Sequence, residues 1–152
     1  DDLSNLSQEY DIYSIHYPIK GAKAVLSLDI TQFQKKEVLA LEQNIRLILS
    51  ENCCSSLIKS NLIEKGAEFV PCKNMSGNSG AFAIEWCIEQ GYDCIVLAGI
   101  DFRYENTDKN YIEPKTLEHI NNYIRSVNCV QQKVYKLSSF SLVDCSVLCT
   151  EF

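Results

Sequence analysis

The sequence is short of methionine, histidine and clustered positive charge, and each shortage excludes something. Met75 is the only methionine and no initiator opens the chain, so the expectation is a fragment or processed product of a longer protein. With two histidines, His16 and His119, and no CxxC pair, a zinc site lacks its usual ligand spacing, and no metal is expected. The 14 basic residues are scattered among 20 acidic ones, with Lys35-Lys36 the one doublet. Nothing resembles a stripe for a phosphate backbone, so nucleic acid is not an expected partner, and an acidic surface also disfavours anionic lipid. No apolar run is long enough to span a membrane, and no secretory leader is visible. The expected compartment is the cytoplasm.

What is present is a chain of 152 residues, enough for one domain with a substantial core, and rich in cysteine. The eight cysteines are Cys53, Cys54, Cys72, Cys87, Cys94, Cys129, Cys145 and Cys149. A secreted disulfide scaffold would be shorter and richer in loops. Most of these residues fall inside apolar periods, as in "EWCIEQ" and "YDCIVLAG", which reads as buried, reduced thiols. A reactive thiol would best suit Cys72, at the end of a predicted strand and before a polar loop.

Strand and helix patterns alternate along the chain. Strands are predicted at 11–17, 23–29, 45–50, 67–72, 94–100 and 133–138. Helices are predicted at 32–44, at 55–66 from a serine cap to a glycine stop, from about Ser79 to Gln90 with Gly91 closing it, and at 113–128. Residues 140–148 read as a final helix or a turn. Such alternation predicts parallel strands joined by crossover helices. The fold class is therefore α/β, a Rossmann-like three-layer domain with a mostly parallel sheet, spanning 1–152 as a single domain. The unbroken apolar run "CIVLAGI" (94–100) predicts a central strand covered on both faces. No internal repeat or low-complexity segment interrupts the pattern, and 101–114 reads as a long loop beyond a strand's carboxyl end.

The stretch "NMSGNSGAFAIEWCIEQGYDCIVLAGIDF" (74–102) concentrates the candidate chemistry. Ligands of open parallel sheets sit outside the strand carboxyl ends, and a helix start there offers unpaired N–H groups and the positive end of the macrodipole. Gly77 and Gly80 let a ligand approach the backbone, while Asn74, Ser76, Asn78 and Ser79 can donate hydrogen bonds. That describes an anion or nucleotide pocket. It equally describes an N-cap and tight turn, with Gly80 small so that the helix can pack. Asp101 and Asp29 each end a predicted strand, and each reads either as a ligand contact or as a brace for the loop that follows.

The same stretch resembles the central signature of bacterial sialyltransferases of glycosyltransferase family 42. It is also similar to motility-associated-factor glycosyltransferases and to glycosyltransferase-like proteins of phage genomes. The shared elements are Ser-Gly, a helix of small and apolar residues, Gly-Tyr, a hydrophobic strand and Gly-Ile-Asp-Phe. "KGAKAVLSLD" and "KVYKLSSFSLV" carry the likeness further with less specificity. The resemblance implies a Rossmann-like fold and a nucleotide-activated sugar as donor substrate, a CMP-sugar above all, with no obligatory cofactor. Carried over by position, Ser79 and Gly80 would lie by the nucleotide or its phosphate, and Gly99, Ile100, Asp101 and Phe102 would line the nucleoside pocket. Asp29 and His16 fall near positions that contact the nucleotide.

The chain departs from that family in two places. It opens on "DDLSNLSQEYDIY", which resembles the segment following the family's phosphate-wrapping glycine-rich loop, so a truncated or minimal version of a larger domain is implied. The region 103–116, where the sialyltransferases keep a catalytic histidine, holds Tyr104, Tyr111, Glu105, Asp108 and Glu113 but no histidine. His119 follows and reads as a surface residue of a helix. On chemical grounds Asp101 and His16 are the candidate catalytic bases. Two other classes of function stay open: a non-catalytic nucleotide-binding module, and a phage or bacterial assembly domain with a vestigial pocket and a protein partner or a second copy of itself.

Overall fold

The computed structural model of the chain describes residues 9–28, 39–72, 77–104 and 111–148. It is α/β, and every strand pairing in it is parallel, the frame on which a Rossmann-like fold is built. The chain divides into two compact units, Asp1–Ala83 and Ile84–Phe152. Among the described residues no helix is long and apolar enough to cross a membrane.

The first unit is built on strands β1 (Tyr13–Ile15), β2 (Ala24–Ser27), β3 (Arg46–Ser50) and β4 (Glu68–Val70), in the spatial order β1-β2-β3-β4. Its centre is the pair β2 and β3, whose sequences AVLS and RLILS are buried except for Arg46. Register places Val25 beside Leu47 and Leu49 beside Phe69, so these side chains share one face. That face packs with Ala40, Leu62 and Ala67 into a core cluster, with Ile58, Cys53 and Cys54 at its margin. Residues 39–42 are helical; the earlier part of the helix predicted at 32–44 lies outside the described residues.

Helix α1 (Ser56–Glu64) is the crossover from β3 to β4. It stops at Gly66, whose φ of +98° suits glycine and whose N–H bonds to the Ile63 carbonyl at 2.9 Å. The predicted glycine stop is therefore present. The predicted serine cap is not: Ser55 has the extended backbone of an N-cap but makes no side-chain capping bond. The β1–β2 connection is unusual for parallel neighbours, which ordinarily need a crossover of a dozen or more residues. Residues 16–23 make it without a helix. The turn is held by Ala22 N–H to Ile19 O at 2.9 Å and Lys23 N–H to Ile12 O at 2.8 Å, with Gly21 at positive φ.

Helix α2 (Ser79–Glu89) starts in the first unit, and the division of the chain falls inside it. Its closing Gly91 has φ +80° and donates to the Ile88 carbonyl at 3.0 Å. The second unit holds β5 (Ile95–Leu97), α3 (Pro114–Val130), β6 (Val134–Lys136) and β7 (Ser146–Val147), with sheet order β5-β6-β7. Helix α3 is the β5–β6 crossover; Pro114 sits in its first turn, and Ile120 and Ile124 are buried. Asn128 ties the end of this helix to β6, its side-chain oxygen accepting the N–H groups of Lys133 and Val134.

One expectation needs correction here, and one open alternative is decided. Among the described residues β5 pairs with β6 alone, at an edge of its sheet rather than at the centre. Its buried part is short: Ile95 and Leu97 are covered, while Ala98 and Gly99, which prolong the apolar run in sequence, are exposed. A run of apolar letters reports burial poorly where it ends on small residues. For residues 140–148, read as a final helix or a turn, the structure has the turn, leading into β7. Lys136 Nζ donates to the carbonyls of Ser141 (3.0 Å) and Val143 (2.5 Å), fixing in a turn the backbone groups that a helix would have used internally.

Candidate functional site at the strand carboxyl ends

In the first unit residues at the carboxyl ends of β2, β3 and β4 come together with Gly77, just before α2. There Leu28, Ser50, Asn52, Cys72 and Gly77 line a cleft of about 220 Å³. Leu28 follows β2, Ser50 ends β3, Asn52 lies in the turn beyond it, and Cys72 follows β4. Among these lining residues none is charged. The cleft offers a hydroxyl, a carboxamide, a thiol and backbone groups, which is chemistry for hydrogen bonding. Gly77 has φ +98° and is exposed, and a Cβ placed on it would meet nothing within 4 Å. Glycine is needed there for the turn rather than for space.

The start of α2 resolves the two readings of the polar loop residue by residue. Asn78 is an N-cap: its side-chain oxygen accepts the N–H groups of Gly80 (2.8 Å) and Ala81 (3.2 Å). Two of the amides that an anion would otherwise seek are thus occupied by the chain itself. Ser79 is buried, and its Oγ accepts the Leu28 N–H at 2.9 Å, fastening the helix start to the end of β2. Gly80 is buried. Asp29 and Ser76 lie outside the described residues.

His16 follows β1 with φ +65°, and its Nδ1 lies 3.1 Å from Ser27 Oγ. Ser27 is wholly buried at the end of β2. The hydrogen bond fixes the imidazole from its Nδ1 side, the arrangement by which a histidine's other nitrogen is aimed. His119 is exposed on α3.

The remaining predicted residues belong to the second unit. Gly99 (φ +67°) and Phe102 (φ +58°) bend the segment after β5. Ser141 Oγ donates to the Ile100 carbonyl at 2.7 Å, and Leu142 N–H donates to the Asp101 carbonyl at 3.0 Å. Phe102 is 1 % exposed and meets Tyr111 edge-on, with ring centroids 6.1 Å apart. Its ring is core, so Phe102 has only backbone to present to a ligand. The Phe102 N–H donates to Tyr111 Oη at 2.9 Å. Burial pushes the Tyr111 phenol above its ordinary pKa, and the charge of Asp101 adds to the rise against the opposing Phe102 hydrogen bond. Tyr111 is therefore a hydrogen-bonding group and not a base near neutral pH.

The second unit also carries a larger, shallow depression of about 470 Å³, lined by Arg125, Asn128, Cys129, Gln132, Asp144, Cys145 and Ser146. It lies by the amino ends of β6 and β7 and the last turns of α3, where the helix dipole is negative. Its cation, Arg125, is paired with Asp144 at 2.6 Å. Size notwithstanding, that is the wrong end of a parallel sheet for a ligand site.

Sequence reasoning located the cleft but named only Gly77 and, for its thiol, Cys72. It passed over Ser50 and Asn52, although "LILSEN" carries the same signal that singled out Asp29 and Asp101, a polar residue directly after an apolar strand. Among the described residues no group of three or more histidine, cysteine or acidic side chains could hold a metal ion. The described residues thus define the class, an α/β protein with parallel sheets and a neutral, hydrogen-bonding cleft at strand carboxyl ends. Comparison with protein-family models, curated proteins and solved structures gives no match.

Proposed function

We propose that the chain is a glycosyltransferase-like domain that takes a nucleotide or nucleotide sugar, a CMP-sugar in the first instance, at the strand carboxyl ends of its first unit. The observation that carries the reading is the cleft of Leu28, Ser50, Asn52, Cys72 and Gly77 beside the start of α2. Its volume, about 220 Å³, is below the roughly 300–1,000 Å³ of pockets that enclose a whole small molecule. It suits a base or a phosphoryl group, the rest of the donor lying outside it. Ser50 and Asn52 supply the directional contacts, and the α2 dipole favours negative charge. For transfer, His16, held by Ser27 in the same unit, is the proposed base.

A second reading, a binding module without chemistry, is favoured by the segment after Gly-Ile-Asp, where 103–116 holds no histidine to act as base. Calorimetric titration with CMP, UDP, GDP and their sugars tests the site. Measurable affinity for one of them, reduced tenfold or more in Ser50→Ala with the fold retained, is the expected result. Equal affinity in the variant would move the site elsewhere. Donor hydrolysis or transfer lost in His16→Ala separates the enzyme from the binder.

A further inference from the structure

Cys53 and Cys54 are adjacent in sequence, and the Cys53 thiol donates to the Cys54 sulfur at 3.6 Å. Both lie in the turn after β3, half-buried, at the margin of the first unit's core cluster. The other thiols have different settings. Cys87 is mostly buried and its pKa is pushed up to about 12 by burial, which keeps it an inert thiol. Cys94, just before β5, and Cys129, on α3, are exposed single residues. From the sulfur contact, the partial exposure and the placement in a turn rather than a helix or strand, we propose that Cys53 and Cys54 form a redox-modification site. They close reversibly into a vicinal disulfide when a low-molecular-weight disulfide such as oxidised glutathione is available.

The chemistry balances in two exchanges. One thiolate attacks a sulfur of the small disulfide, forming a mixed disulfide and releasing one small thiol. The neighbouring thiolate then attacks the protein sulfur of that mixed disulfide, forming the Cys53–Cys54 bond and releasing the second small thiol. The two protein thiols lose two electrons and two protons; the small disulfide gains them. Adjacent Cα atoms are about 3.8 Å apart, below the roughly 4.4–6.8 Å usual for a disulfide. The bond therefore forms under strain and is easily reduced, the property of regulatory rather than structural disulfides. The turn must rearrange to accommodate it. Cys53 N–H bonds to the Ser50 carbonyl at 3.1 Å, and Asn52 N–H reaches Ser50 Oγ at 3.4 Å, so the rearrangement pulls on two residues of the cleft.

The test uses the whole chain in glutathione buffers of graded oxidation, quenched by alkylation and read by peptide mass spectrometry. Under oxidising buffer the peptide carrying both residues should lose two hydrogen masses and escape alkylation. Under reducing buffer it should take two alkyl groups. In Cys54→Ser the remaining Cys53 should instead accumulate a stable glutathione adduct. The proposal is overturned if the wild-type peptide carries stable glutathione adducts at the ratios that modify Cys54→Ser, or if either residue is found linked to a different cysteine. The consequence for the cleft rests on the nucleotide reading and is measured separately, as nucleotide affinity of the oxidised and reduced chains. A disulfide that forms while no nucleotide binds to either state leaves the redox site standing and overturns the nucleotide reading.

Discussion

Replacing Asn78 separates the two jobs that meet at the start of α2. Its side-chain oxygen accepts two helix amides, Gly80 at 2.8 Å and Ala81 at 3.2 Å, from a half-buried position. Asn78→Ala leaves both amides without that acceptor. N-cap losses run at about 0.5–2 kcal/mol, and two amides served by one oxygen place this one near the upper half of that range. Asn78→Asp keeps the acceptor and adds a negative charge at the positive end of the helix dipole, a gain of about 0.3–1 kcal/mol. Stability alone would therefore rank Asp at or above the wild type and Ala well below it. A phosphate seated at the same helix start reverses part of that order. The aspartate repels it, and a tenfold loss of affinity requires only about 1.4 kcal/mol of repulsion. Urea unfolding should show a lower midpoint for Asn78→Ala, with an unchanged slope, and no decrease for Asn78→Asp. Titration with CMP should show weaker binding to Asn78→Asp in spite of its stability. If Asn78→Asp binds CMP as well as the wild type does, no phosphate approaches the α2 start. If Asn78→Ala unfolds at the wild-type urea concentration, the capping argument fails on its own terms.

Three further outcomes follow from single residues. Burial holds the Cys87 pKa at about 12 against an ordinary 9.0, so the folded state favours the neutral thiol. The associated stability is complete below pH 9 and declines as pH rises toward 12, by about 2 kcal/mol near pH 10.5. Cys87→Ala should show a correspondingly shallower alkaline loss of stability by urea titration, and an identical slope would refute the assignment. Glu68 is held below its usual pKa by the Arg46 guanidinium, which donates to both carboxylate oxygens at 2.8 and 2.9 Å. Its contribution is present above the ordinary carboxylate pKa and is lost as pH falls through the lowered one. The pair is exposed, so Glu68→Gln should cost under about 1 kcal/mol near neutrality, and less in high salt. Ser141→Ala removes the donor to the Ile100 carbonyl and the acceptor of the Val143 N–H, both at a buried hydroxyl, and should cost about 1–3 kcal/mol in denaturant unfolding. A change of a few tenths would mean that water replaces the hydroxyl.

The parts of the fold that were legible in the sequence are those set by local chemistry. "KAVLSLD" and "IRLILS" are apolar enough to be read as buried strands, and they became the centre of the first sheet. Gly66 and Gly91 stop their helices at positive φ, where other residues are strained. "EPKTLEHINNYIRSVN" carries its proline and its apolar spacing openly, and Ile120 and Ile124 are its buried face. The illegible parts depend on partners distant in sequence. Two parallel connections, 16–23 and 137–145, contain no helix, and no period in the sequence announces a turn held by Lys136 Nζ or by Ser141. The placement of β5 depends on which strands pair with it, which its own residues do not encode. For the candidate site, strand-end logic pointed to the end of the sheet where the cleft lies, yet its weight fell on aspartates, while Ser50 and Asn52 line the cleft.

A common thread in both units explains why small polar residues gather where a ligand would bind. Each strand that ends must release its chain into a loop with backbone groups no longer paired in the sheet. Serine hydroxyls take up several of these. Ser79 accepts the N–H of Leu28 beyond β2, and Ser141 donates to the Ile100 carbonyl beyond β5. Ser138 Oγ accepts the Phe140 N–H beyond β6 at 3.1 Å. Such hydroxyls are structural first, and a ligand contacts them only by sharing or displacing a backbone partner. Ser50 stands apart in this series. Its bond to Asn52 N–H is long, 3.4 Å, and it faces the cleft. Hydrogen bonds weaken with length, so the Ser50 hydroxyl gives up least by turning to a ligand. Asn78 and Ser79 at the start of α2 are thus explained by capping and fastening. Ser50 and Asn52 line the cleft and share the longest of these serine contacts.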